Sequence, residues 1–115
     1  MDPSILVLLN SLIDRGLDLL SSQPRKEFQQ SNVIYVGNLD YETTEAQLRE
    51  AFAVAGKVLI ARVARKPKSG LSKGYGFVAM QSIEEAGAAV AALHQVHLDD
   101  REIVVKMVDA NRLGK

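Results

Sequence analysis

The chain has no cysteine and no tryptophan, only three prolines, and six aromatic residues in all. Its 14 basic residues are matched by 14 acidic ones, so there is no net charge of either sign. Without cysteine, disulfides and thiolate metal sites are excluded. The same absence suits a reducing compartment, and the expected location is the cytoplasm, with the nucleus as the alternative. Zero net charge argues against a protein that grips nucleic acid mainly through bulk charge. Long apolar runs are lacking too. The run from Ile5 to Leu9 is far too short to span a bilayer, and the residues before it carry Asp2 rather than the basic leader of a secretory signal. His94 and His97 have no third ligand near them in sequence and make no metal site. The acid pairs Glu84–Glu85 and Asp99–Asp100 fall at a helix start and at a turn, where acids stabilise local structure. No nucleophile–base pair and no phosphate loop is present. The expectation is therefore a non-enzyme, with no cofactor, no small-molecule substrate and no membrane partner.

What is present is an apolar fraction of 47% in 115 residues, enough for one folded domain with a short extension. Residues 3–20 read as a helix. Asp2 can cap it, and Pro3 sits in the first turn, where its missing N–H costs nothing. Leu6, Leu9, Ile13, Leu17 and Leu20 recur at three- and four-residue steps and form one stripe, too greasy to stay exposed. Two readings fit it: packing back on its own domain, or pairing with its twin in a homodimer, to which the reading leans slightly. The polar stretch up to Gln30 holds Pro24 and reads as a linker. The expected division is 1–22 helix, 23–30 linker, 31–110 folded domain and 111–115 tail.

From Asn32 onward the pattern changes to short strands and helices. Val33 to Val36 is β-branched and aromatic. Thr44 with Gln47, and Ser82 with Glu85, have the spacing of capping boxes, opening helices to about Val54 and about Leu93. Strands are expected over Lys57 to Arg65, Tyr75 to Met80 and Ile103 to Val108. Between the first two lies a long, flexible basic loop around Pro67, Gly70 and Ser72, and Asp99–Asp100 marks a turn. Phe28 and Tyr41 read as packing residues around the loops. The order β-α-β-β-α-β makes a two-layer sandwich, α+β in class.

Period two along the third strand sends Lys73, Tyr75, Phe77 and Ala79 one way, and Gly74, Gly76, Val78 and Met80 the other. Val78 and Met80 suit burial under the helices, with the two glycines letting the helices lie close. Tyr75 and Phe77 then face solvent. The same logic places Ile34 and Val36 inside and Tyr35 outside. Half of the chain's six aromatic rings would thus share one open face. Large aromatics bury best in a core, so an uncovered cluster of flat rings suits a partner with flat faces. Stacking of a base on such a ring contributes about 1–3 kcal/mol and tolerates any base.

The run Val33-Ile34-Tyr35-Val36-Gly37-Asn38-Leu39 resembles the shorter ribonucleoprotein motif of the RNA recognition motif (RRM) family. The run Lys73-Gly74-Tyr75-Gly76-Phe77-Val78-Ala79-Met80 resembles its octamer at seven positions. Met80 departs from the usual aromatic, on the core face where a flexible apolar filler is tolerated. A Met there also resembles the small single-domain members found in bacteria. The resemblance covers about residues 31–110 and implies the ferredoxin-like fold, here with an extra N-terminal helix. It also implies single-stranded RNA as partner, with single-stranded DNA as an alternative. By that resemblance Tyr35 and Phe77 would each stack a base. Tyr75 would lie between sugars or under a further base, Lys73 would meet a phosphate, and Arg62 and Lys106 would add contacts from the flanking strands. The competing reading is that another segment covers the three rings, the N-terminal helix being the obvious candidate, which would leave a protein–protein interaction module with a masked sheet, dimerised by its N-terminal helix.

Overall fold

Among the described residues, alternation of β-branched and polar residues, broken by cap and turn residues, accompanies eight helices and strands. The computed structural model describes residues 29–112. The expected helix of residues 1–22, with Leu6, Leu9, Ile13, Leu17 and Leu20, lies outside the described residues. So do most of the linker and the last three residues. The elements are β1 (Val33–Gly37), α1 (Glu45–Phe52), β2 (Val58–Arg65), β3 (Ser72–Met80), α2 (Ile83–Leu93), β4 (His97–Leu98), β5 (Arg101–Glu102) and β6 (Val104–Met107). A 3-10 turn at Ala110–Arg112 follows. The main sheet is antiparallel with order β2-β3-β1-β6, and β4 and β5 form a separate small ribbon. This is the expected β-α-β-β-α-β sandwich with one small hairpin added.

Both helices start where their caps dictate. Thr44 Oγ1 accepts from Gln47 N at 3.2 Å, and Thr44 N donates to Gln47 Oε1 at 2.8 Å, a complete capping box. Ser82 Oγ accepts from Glu85 N at 3.1 Å. Among the described residues Glu85 returns no bond to Ser82, so the second expected box is a one-sided cap. The side chain of Glu85 lies instead against Gly56, where an added Cβ would come within 2.7 Å of Glu85 Cγ.

Leu48 and Phe52 of α1 and Ala86, Ala89 and Leu93 of α2 pack on one face of the sheet, against Ile34, Val36, Ala61, Val63, Val78, Met80 and Val105. Each large side chain fully buried here stabilises by about 1.5–3 kcal/mol. Met80 lies in this layer, fully buried. The strand glycines do not serve helix approach. A Cβ on Gly76 would run into the carbonyl oxygen of Arg62 on the neighbouring strand. Gly74 has φ +85 and lies beside the ring of Tyr41.

The free edge of β2 is closed by α1. Glu45 Oε2 accepts from Val63 N at 3.1 Å, and Arg49 donates to the Val58 carbonyl at 3.2 Å. An edge engaged in this way is a poorer template for pairing with another chain. The β2–β3 connection, expected to be flexible, is closed by hydrogen bonds instead: Lys66 N to Leu71 O at 2.8 Å and Gly70 N to Lys66 O at 2.9 Å. Asp99 and Asp100 have φ of 53 and 66, the paired left-handed conformations of a two-residue hairpin turn.

Candidate nucleic-acid interface

Register, not just alternation, assembles the second face of the sheet. Arg62 on β2 is opposite Phe77 on β3, Phe77 is opposite Tyr35 on β1, and Tyr35 is opposite Lys106 on β6. Directly opposed residues in antiparallel strands project to the same face. The four strands therefore carry one transverse row, cation–ring–ring–cation, about 14 Å long at the usual strand spacing. Tyr75, two residues before Phe77, adds a third ring beside the row. Tyr35 is 5.8 Å from both Tyr75 and Phe77 between ring centroids, and Tyr75 is 6.1 Å from Phe77. The planes are tilted by 31° in the tyrosine pair and meet edge to face in the other two, arrangements favoured by the ring quadrupole. Gly37 makes room for this: a Cβ there would lie within 2.7 Å of Tyr35 Cε2.

The rings point away from both helices, as alternation requires. They are not open to solvent as expected. Phe77 is 1% exposed and Tyr75 7%, while Tyr35 is half-buried. Their described neighbours are Val33, Ile60, Ala64, Ala79 and Val108, with Leu59 partly buried alongside. These apolar residues, of which sequence reasoning had placed only Ala79 on this face, turn it into a second hydrophobic cluster. The signal was available: β2 reads Val-Leu-Ile-Ala-Arg-Val-Ala, apolar at both parities, as strands covered on both faces do. Burial raises the phenol pKa of Tyr35 and Tyr75 above the ordinary value, and for Tyr35 the neighbouring Tyr75 adds to the shift.

The cations differ in setting. Lys73 and Lys106 are exposed. Arg62 is half-buried, and its Nε is buried without a partner among the described residues. Arg65 is held elsewhere, donating to Glu45 at 3.2 Å and to the Gly70 carbonyl at 3.2 Å. Asn38 locks the end of β1 to the small hairpin, donating to the Glu102 carbonyl at 2.7 Å and accepting from Arg101 at 2.7 Å. Tyr41, expected to pack, is 73% exposed. Among the described residues no group of three or more His, Cys, Asp or Glu is placed to hold a metal, and no helix is long and apolar enough to cross a membrane.

The model of the RNA recognition motif family matches residues 34–104, from β1 to the first residue of β6, a span that takes in Arg62, Phe77 and Tyr35 of the row and stops short of Lys106. This chain belongs to that family. The RRM is 40% identical over 86 residues to the chloroplastic 28 kDa ribonucleoprotein of Spinacia oleracea, covering 75% of this chain and 37% of the relative. It is 40% identical over 87 residues to the chloroplastic 31 kDa ribonucleoprotein of Nicotiana sylvestris, covering 76% and 28%. The chain thus spans well under half the length of these two relatives. Among solved structures, the Rna15 RRM with bound RNA (GU) superposes with a TM-score of 0.60 at 30% identity, covering 66% of this chain and 81% of that one. The cytoplasmic expectation, with its nuclear alternative, is corrected by these comparisons: both relatives are chloroplastic, which points to a plastid instead. Absence of cysteine is compatible with any compartment and cannot tell one from another.

Proposed function

We propose that this RRM binds single-stranded RNA on the face that carries Tyr35, Tyr75 and Phe77. The observation that carries the reading is the transverse row Arg62–Phe77–Tyr35–Lys106, which sets two flat rings between two cations. Tyr35 and Phe77 each stack a base. Tyr75 lies against a neighbouring sugar or a further base. Lys73, Lys106 and Arg62 meet phosphates or base edges, and a phosphate would satisfy the buried Nε of Arg62. The RNA held by the Rna15 RRM and the ribonucleoprotein names of the curated relatives support this reading.

The test is titration of a short randomised single-stranded RNA, with a matched DNA pool alongside to measure what the 2′-hydroxyl adds. Tyr35→Leu combined with Phe77→Leu keeps apolar volume but removes the stacking planes. Losing two stacks should weaken binding by about 30-fold or more. Unchanged affinity in the double variant would overturn the reading.

A further inference from the structure

A guanidinium carries five N–H donors in a flat, fixed fork. Most described arginines spend theirs within the protein. Arg49 donates to the Val58 carbonyl at 3.2 Å. Arg65 holds Glu45 and the Gly70 carbonyl, each at 3.2 Å. Arg101 holds the Asn38 carbonyl at 3.2 Å and Asn38 Oδ1 at 2.7 Å. Arg62 differs from all three, because its Nε is buried and has no partner among the described residues. A buried donor on a charged group is costly to leave unpaired, so this position fits one that a ligand completes.

The surroundings narrow the choice of acceptor. Ile60 and Ala64, two residues to either side along β2, are buried in the ring cluster. The stem of Arg62 therefore stands among the rings, and Nε lies at their depth. Arg62 is directly opposite Phe77, so a base stacked on Phe77 turns one edge toward it. A phosphate would satisfy Nε as well, but the sugar–phosphate chain runs outside the stacked bases, whereas Nε sits at the level of the ring. The fork is best met by two neighbouring acceptors. Guanine offers O6 and N7 side by side, on an edge clear of the ribose. Adenine sets an amino donor beside N7, and uracil sets N3–H between its two carbonyl oxygens. Cytosine has N3 beside O2, but O2 adjoins the bond to the ribose, and presenting it would bring the sugar down onto the rings.

We propose, building on the RNA reading above, that Arg62 is the specificity-determining residue of this face and selects guanine for the nucleotide stacked on Phe77. Nε and one terminal N–H donate to O6 and N7 of the base. The outward terminal N–H groups remain for a phosphate, so Arg62 still contributes to the salt dependence of binding.

The experiment titrates the full chain with eight-nucleotide oligouridine RNAs whose central position is guanosine, adenosine, cytidine or uridine, and with a fifth that carries 7-deazaguanosine there. The guanosine RNA is expected to bind about tenfold tighter than the other three natural ones. The 7-deaza base, which lacks the N7 acceptor, loses most of that advantage. Arg62→Lys keeps the charge but not the fork, and the ratio of guanosine to adenosine affinities falls to within about twofold. The ratio is the readout because a general weakening of binding does not move it. Equal affinity for the four natural RNAs, or a preference for another base, overturns the guanine assignment and leaves the RNA reading standing. A guanine preference that survives Arg62→Lys overturns the role of Arg62. Full retention with 7-deazaguanosine overturns the contact to N7. No binding of any RNA sinks the RNA reading and the guanine assignment together. If Arg62→Lys does not fold, Arg62→Gln replaces it, with the same collapse of the ratio expected. The 7-deazaguanosine comparison uses the unaltered chain and tests the base contact in either case.

Discussion

Phe77 is a buried core side chain and, in the proposed function, a stacking plane, and the two roles make different demands on a mutant. Truncation to Ala would leave a cavity in the ring cluster and destabilise by about 3–5 kcal/mol. Loss of RNA binding in Phe77→Ala would then report unfolding as readily as lost stacking. Phe77→Leu is expected to cost under about 2 kcal/mol by urea unfolding while still losing its stack; a larger cost would mean that the ring is mainly structural. Glu45 supplies a separate residue-scale prediction. Burial raises its pKa, but hydrogen bonds from the Val63 and Glu45 N–H groups and the bond and charge of Arg65 outweigh that, so its carboxyl lies below the usual range. A depressed folded pKa contributes stability above the unfolded value, near about 4.3, and that stability is lost as pH falls through the folded value. Glu45→Gln should therefore lower stability at about pH 7 and make no difference near about pH 2.5. The pair with Arg65 is more than a third exposed on both sides, so solvent screening keeps the difference below about 1 kcal/mol. An equal deficit at both pH values would show that the charge is irrelevant.

Elements with a strong local signal were legible, and those that depend on distant partners were not. Thr44 and Gln47 fix the start of α1 within four residues, and the structure forms both bonds of that box. Alternation along β3 correctly sent Val78 and Met80 under the helices and Tyr75 and Phe77 to the far face. The β4–β5 ribbon escaped because strands of two residues carry no readable period, and only its Asp99–Asp100 turn left a mark. Ring burial escaped for another reason. Alternation tells which face a side chain takes, not what lies over that face. The role given to Gly76 was wrong because sequence shows parity but not how tightly β2 and β3 approach. Gly76→Ala tests the corrected role at the scale of the strand pair. With the Arg62 carbonyl in the way, the Cβ must push β2 and β3 apart, at a cost of at least about 2 kcal/mol. Thermal unfolding indistinguishable from the parent would show that the strands yield freely.

At the scale of the molecule, zero net charge and three cations around the rings set how binding responds to salt. Each phosphate neutralised on a single strand contributes a slope of about −0.7 in log affinity against log salt. With Arg62, Lys73 and Lys106 each engaged, the slope should be about −2, and affinity should fall about 20-fold between about 50 mM and about 200 mM salt. A slope nearer zero would mean that the rings alone hold the nucleotide. The row geometry makes the substitutions separable. Lys106→Gln should weaken binding at low salt and make the slope shallower by about 0.7, because a released counterion is lost. Tyr35→Leu should lower affinity by a constant factor at every salt concentration, because stacking releases no counterion. Lys106 and Tyr35 face each other across one strand pair, so any disturbance of the local sheet would affect both variants alike. A shallower slope confined to Lys106→Gln would therefore assign the charge to phosphate contact and the ring to the base. If both variants changed the slope equally, the two side chains would be acting through a common distortion of β1 and β6, and the division of labour along the row would be wrong.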